Sequence, residues 1–236
     1  MTNTVRLSRR LQAVADYLPT SAYFADIGSD HAYLPCYVCL RDKTARAIAG
    51  EVKQGPWQRA SDTVKQYGME QKVDVRLGDG MEILSPGEAK QIVIAGMGGS
   101  LIANILEEGK EKLENVKRII AQPNVDARNT RRWLQKNGFA VTDEVIIEEH
   151  GHIYEIIAAD RHTENDPYEE NQLEQQLLFG PVLLNKRPDA FYRKWEEEYS
   201  KLQFVMQEMK KAKTTNAEKM EEFSREAKWI REVLQK

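Results

Sequence analysis

Five strand-sized apolar runs lie between residues 22 and 122, most of them separated by amphipathic segments of helical length. The runs are AYFADI (22–27), ARAIAG (45–50), VDVRL (73–77), QIVIAG (91–96) and VKRIIAQ (116–122). The helix-like segments are LPCYVCLRD, GPWQRASDTVKQYG, GSLIANILEEGKEKL and, after the fifth run, NTRRWLQKNG. Strands and helices at this spacing make βαβ units, which predicts an α/β fold with a mostly parallel sheet and helices on both faces. FAVTDEVIIEE, the turn HGH and IYEIIAAD then form two strands with no helix between them, an antiparallel hairpin that closes the sheet edge. The first domain is therefore expected to span residues 1–160.

Residues 161–236 have a different texture. From Pro188, apolar positions Trp195, Tyr199, Leu202, Met206 and Met209 recur at spacings of four and three. After the polar turn KAKTTN the pattern resumes at Met220, Phe223, Ala227, Ile230 and Leu234. Two such stripes predict an appended antiparallel coiled-coil hairpin of α-helices. It reads either as a stalk or as a docking surface.

Bulk properties narrow the class. A chain that is 41% hydrophobic and 30% charged belongs with soluble globular proteins. No apolar run reaches membrane-spanning length, so no membrane partner is expected. The start, MTNTVRLSRRLQAVADYL, reads as a charged amphipathic helix without a continuous apolar stretch, which argues against a secretory signal and for a cytoplasmic location. Cys36 and Cys39 stand one helical turn apart, would close almost no loop as a disulfide, and lack further zinc ligands. They read as packing thiols, and no metal is expected. Net charge is −3, yet basic residues gather at Arg6/Arg9/Arg10, at Arg41/Lys43/Arg46 and at Arg128/Arg131/Arg132. On one side of a fold they would make a phosphate-tracking surface.

In a parallel sheet, ligands sit beyond the carboxyl ends of the strands. Those ends read Asp26-Ile-Gly28-Ser-Asp30-His31, Gly50-Glu51, Gly78-Asp79-Gly80, Gly96-Met97-Gly98-Gly99 and Gln122-Pro123-Asn124. Glu51 follows Gly28 by 23 residues, the spacing at which an acidic side chain accepts from ribose hydroxyls. Asp79 suits an exocyclic amine of adenine. A pyrophosphate beside Asp26 and Asp30 would be repelled. A ligand joining adenosine to an ammonium and a sulfonium would be attracted, and S-adenosylmethionine is such a ligand.

These residues, with the end hairpin, resemble a Rossmann-like class I S-adenosylmethionine-dependent methyltransferase. The runs ADIGSDHAYLP, GDG (78–80), IAGMGG (94–99) and AQPN (121–124) are similar to the bacterial TrmK family, which methylates N1 of adenine 22 in tRNA. The resemblance implies that Asp26, Gly28, His31, Glu51, Asp79, Gly80 and Gly96 line the cofactor site, with Arg9 reaching the cofactor carboxylate. It implies tRNA as partner. Apart from it, a monomer is expected, and Asp26, Asp30 and Met97 are candidates at the reacting centre, the carboxylates because alkylating N1 makes the base cationic. Gly98, Gly99, Gln122, Asn124, Arg131 and Arg132 are then candidates for substrate contact.

Methyltransferases acting on exocyclic amines carry a side-chain acceptor and an aromatic where this chain has Gly96–Gly99. The run is either a tight strand-to-helix turn or the mark of a target that needs no activation. Adenine N1 has a lone pair in its neutral form, so positioning supplies much of the rate. It lies on the Watson–Crick edge, so the nucleotide must be unpaired or swung out. His31 reads either as a proton acceptor or as a helix cap, and Gln122 and Asn124 either as base contacts or as turn residues. A methyltransferase with a small-molecule or protein substrate is the alternative. A nicotinamide-linked dehydrogenase is disfavoured by the missing GxGxxG, and a pure scaffold leaves the strand-end carboxylates unexplained.

Overall fold

The protein is described by a computed structural model covering residues 4–161, 166–211 and 216–235. Among these, seven strands form one sheet: β1 (Tyr23–Ile27), β2 (Arg46–Glu51), β3 (Val73–Leu77), β4 (Gln91–Gly98), β5 (Arg118–Val125), β6 (Phe139–Glu149) and β7 (His152–Arg161). Their order is β3-β2-β1-β4-β5-β7-β6. The first five run parallel, and β7 is antiparallel to both β5 and β6. The predicted parallel sheet with an antiparallel closing hairpin is thus found. Chain order reverses between β1 and β4, which opens a crevice at their carboxyl ends.

Alternation along the central strands divides the apolar interior. Ala25 and Ile27 of β1, Ile92 and Ile94 of β4, and Ile119 and Ala121 of β5 enter one core. Phe24, Val93 and Ile120 between them enter the other. Both faces are therefore dry, as near-continuous apolar strands require. Each buried isoleucine contributes about 2–3 kcal/mol. The helices covering the sheet are α1 (Arg9–Asp16), α2 (Tyr33–Arg41), α3 (Gln54–Gln66), α4 (Gly99–Glu108) and α5 (Ala127–Lys136).

The chain start differs from its expected form. Helix α1 begins only at Arg9, where the Ser8 hydroxyl accepts the Leu11 N–H. Ahead of it, Val5 and Leu7 are buried while Thr4, Arg6 and Ser8 are exposed, the period-two pattern of an extended segment laid on the core. Residues 1–3 of the expected helix lie outside the described ones. Cys36 and Cys39 are free, buried thiols, pushed by burial to about 12 and about 11.

The chain divides into two compact units, Met1–Val182 and Leu183–Lys236, so the division falls beyond residue 160. The reason is a further helix, α6 (Leu173–Phe179), whose Leu177 and Leu178 carbonyls accept from the guanidinium of Arg131 in α5. After the short α7 (Pro181–Lys186), the second unit contains α8 (Asp189–Lys211) and α9 (Ala217–Leu234), which pack on each other. The stripe residues Tyr199, Leu202, Met206, Met209, Met220, Phe223 and Ala227 are half-buried between exposed neighbours. Four residues of the polar turn, 212–215, lie outside the described ones. Among the described residues no helix is long and apolar enough to cross a membrane.

Candidate active site

The crevice floor is built from strand ends. Asp26 closes β1 at 4% exposure and accepts the Ser29 hydroxyl at 2.6 Å. Burial pushes its carboxyl up to about 7; the Ser29 hydrogen bond opposes this and the Glu51 charge adds to it. Glu51, at the end of β2, is also buried, and burial raises its pKa. Among the described residues neither carboxylate forms an ion pair. Arg59 lies near enough to oppose the rise at Glu51 but does not pair with it, and two such buried acids in a crevice suit a positively charged ligand.

The turn between them is held tightly. Gly28 and Ser29 both donate their N–H to the Gly50 carbonyl at 3.0 Å. Gly28 has φ +69°, and the Met97 methyl stands where its Cβ would be, so only glycine fits. Asp30, His31 and Ala32 follow at φ +40°, +70° and +55°. Three consecutive non-glycine residues in this region cost about 1 kcal/mol or more each. The turn delivers the Asp30 N–H to Glu51 Oε1 at 2.5 Å. It also stacks His31 on Tyr33, with ring centroids 5.4 Å apart. The first residue flanking α2 is Ala32 and no side chain caps the helix, so His31 is not a cap. The Asp30 side chain is 80% exposed, lies 3.4 Å from His31 Nε2, and its charge adds to the rise of the Glu51 pKa.

Asp79 after β3 is exposed and makes no capping hydrogen bond with its side chain. With Gly80 it stands at the same sheet end as Asp26 and Glu51, because β1, β2 and β3 run parallel. At β4 the register breaks around Gly96, which has φ +79°. Gln122 Oε1 accepts the Gly96 N–H at 3.0 Å, and Asn124 Nδ2 donates to the Gly96 carbonyl at 2.8 Å. Both carboxamides of β5 are therefore engaged with the glycine loop, and Gln122 is fully buried. A Cβ at Gly99 would strike the Asp126 carbonyl, so α4 can start this close to β5 only with glycine there. Val125, at 69% exposure, lies beside Gly98, and Leu101 is exposed on the first turn of α4.

Two expected substrate contacts are corrected: Gly99 is buried where α4 starts against the Asp126 carbonyl, and Arg131 is turned into the interior. Arg131 is no substrate contact: it is wholly buried, with Nε on Glu144 at 2.7 Å and Nη2 on Glu155 at 2.8 Å. Met97 ends with its methyl against Gly28, in the turn at the crevice floor, and is partly buried against the core. The three basic clusters do not share a side. Arg46 opens β2 and Arg41 ends α2, so that cluster lies at the amino ends of the strands, opposite the crevice. Arg132, midway along α5, is partly exposed and paired with Glu174.

Arg9 is exposed, and its neighbour Arg10 turns inward instead. Arg10 Nη1 donates to Gln122 Oε1, and its guanidinium lies 5.4 Å from the centroid of the Tyr154 ring. Glu149 at the end of β6 accepts the N–H groups of Arg9 and Arg10 at 2.7 and 3.3 Å. Sequence reasoning passed over Arg10, Tyr154 and Glu149. One signal was present: Arg10 precedes the buried Val14 by one helical turn.

A family model described as tRNA (adenine(22)-N(1))-methyltransferase matches residues 24–232. The chain is 43% identical to the tRNA (adenine(22)-N(1))-methyltransferase of Bacillus subtilis, over 98% of each sequence. The crystal structure of the B. subtilis m1A22 tRNA methyltransferase TrmK superposes with a TM-score of 0.92 at 42% identity, covering 98% of this chain and 100% of that one. A candidate tRNA (m1A22) methyltransferase of Streptococcus pneumoniae, solved with S-adenosyl-L-methionine, gives 0.83 at 37% identity, with 98% and 100% covered.

Proposed function

This chain belongs to the TrmK family of tRNA (adenine(22)-N(1))-methyltransferases, and we propose that its strand-end crevice presents S-adenosylmethionine to N1 of adenine 22 in tRNA. The observation that carries the residue assignment is the buried pair Asp26 and Glu51, neither in an ion pair among the described residues, beside a glycine turn. When bound, the cofactor supplies an electrophilic methyl on a positive sulfur. Glu51 is assigned to the ribose hydroxyls, Asp79 to the adenine amine, and Asp26 to the positive end of the ligand. The relative in complex with S-adenosyl-L-methionine supports this ligand class.

Around the acceptor, the chain offers shape rather than proton transfer. The bare loop at Gly96 and Gly98 lets a base approach, and exposed Val125 and Leu101 give it apolar surface. N1 attacks with its own lone pair, so orientation is the main contribution of this wall. The second unit is assigned to gripping the tRNA body.

The deciding experiment incubates the chain with cofactor and unmodified tRNA, then digests the product under mild conditions for mass spectrometry against N1- and N6-methyladenosine. N1-methyladenosine at position 22 is the expected product; the N6 isomer alone would refute the proposal. In the same assay a chain ending at Val182 is expected to keep its cofactor affinity and lose about tenfold or more in tRNA affinity. Unchanged tRNA affinity would remove the gripping role.

Glu51→Ala and Asp79→Ala should each weaken S-adenosylmethionine binding by about 1–3 kcal/mol in calorimetry. The Glu51 change is expected to be the larger, because it also frees the Asp30 N–H from its acceptor. Wild-type affinity in both folded variants would refute the assignment.

A further inference from the structure

We propose that Arg10 is a positioning residue for methyl transfer, acting through the carboxamides of Gln122 and Asn124 on the peptide of Gly96. The inference rests on the function proposed above and concerns how that site selects a ring nitrogen.

The relay has one direction. A guanidinium only donates, so the Gln122 amide must turn its Oε1 toward Arg10. The same oxygen accepts the Gly96 N–H. Gln122 Nε2 is thereby aimed at Asn124 Oδ1, 3.1 Å away. With its oxygen taken, Asn124 directs Nδ2 at the Gly96 carbonyl. Both polar groups flanking Gly96 are thus gripped from β5, at the residue where β4 leaves its register. A carboxamide can flip about its last torsion at little steric cost; a cation at the head of the chain removes that freedom.

Arg10 is itself held from outside the crevice. Glu149 accepts two N–H groups at the start of α1, and the Tyr154 ring lies under the guanidinium. The β6–β7 hairpin, which also completes the sheet and holds Arg131, in this way sets the glycine loop.

The polarity has a chemical consequence. Asn124 is exposed at the strand end; its oxygen is turned toward Gln122 and one amide hydrogen is spent on the Gly96 carbonyl, which leaves a second N–H to donate. An exocyclic amine needs an acceptor there to be polarised toward attack. A donor gives the amine no such help, and it can pair with a ring acceptor of the base while N1 keeps its lone pair for the methyl. The relay therefore favours the ring nitrogen by fixing the Asn124 carboxamide with its oxygen turned toward Gln122 and a donor to spare.

The test compares full-length wild type, Arg10→Ala, Arg10→Lys and Gln122→Glu. The last keeps an acceptor for Arg10 and Gly96 but loses the donor to Asn124. Measurements are kcat and KM on tRNA, cofactor affinity by calorimetry, and hydrogen–deuterium exchange of the segment 94–100. Arg10→Ala is expected to lower kcat about tenfold or more, the scale of a small misplacement. Cofactor affinity and KM for tRNA should stay within about threefold. Exchange in 94–100 should quicken, and Arg10→Lys should recover part of both effects. Gln122→Glu should resemble Arg10→Ala in kcat and stands in for it if the alanine variant does not fold. Unchanged kcat and exchange would overturn the relay. So would cofactor affinity falling in step with kcat, which would place Arg10 on the ligand itself. A wild type that makes no N1-methyladenosine would instead refute the proposed function, and the exchange data would still judge the relay.

Discussion

An Arg131→Ala chain is expected to lose about 3–5 kcal/mol of stability, measured as a shift of the urea unfolding midpoint. The guanidinium is fully buried and joins Glu144, Glu155 and two α6 carbonyls. Removing it strands two carboxylates in a dry interior, where burial already pushes the Glu144 pKa up and the Arg131 charge opposes it. Gly180 belongs to the same arrangement, since a Cβ there would press on the carboxylate of Glu144 and on Arg131 Nη2. Arg132, paired with Glu174 in partial exposure, should cost within about 1 kcal/mol when changed to alanine. The contrast between adjacent arginines is the signature. Wild-type stability in Arg131→Ala, together with weakened tRNA binding, would return that side chain to the substrate surface.

Asp26→Asn should stabilise the free protein at pH 8 while weakening its hold on the cofactor. The folded pKa of about 7 lies above the ordinary value, so the folded state binds a proton more readily between roughly pH 4 and 7. This contribution to stability is complete below about pH 4 and is lost as pH rises through 7. For a shift of this size the loss reaches about 4 kcal/mol as an upper bound. Asparagine is neutral throughout and still offers Ser29 an acceptor, so the variant is expected to gain about 2–4 kcal/mol at pH 8 and little at pH 4. Binding runs the other way. A cationic ligand favours ionised Asp26, so wild-type affinity for S-adenosylmethionine should rise with pH through about 7. The groups facing the pair are Ser29, the Asp30 N–H, His31 and Arg59. Calorimetry across pH 6–8 should find the variant weaker and its affinity nearly flat. A variant as pH-dependent as wild type would show that another group is responsible.

The readable part of this fold was periodic. The central strands stood out as short continuous apolar runs, and each apolar helix stripe kept its spacing of three and four. β3 and β6 begin and end at the residues expected, because a run such as VDVRL is bounded by residues that cannot continue it. The acidic strand ends were also legible, since a parallel sheet puts all of them on one side regardless of loop detail. At the chain start a helical pattern was expected through residues that run extended, because Val5 and Leu7 suit either period over so short a stretch.

What only the tertiary structure decided is which polar side chains face inward, and with whom. The partners of Arg131 lie 13, 24, 46 and 47 residues away, and Arg10 meets Gln122 across 112. Arg9 and Arg10 are identical to any local pattern, as are Arg131 and Arg132, yet one of each pair is turned inward and the other stays at the surface. Periodicity reports the apolar face of a segment because burial rewards every residue on that face. A buried charge is permitted only where distant strands have already brought its counterparts together, so its position is a property of the assembled sheet.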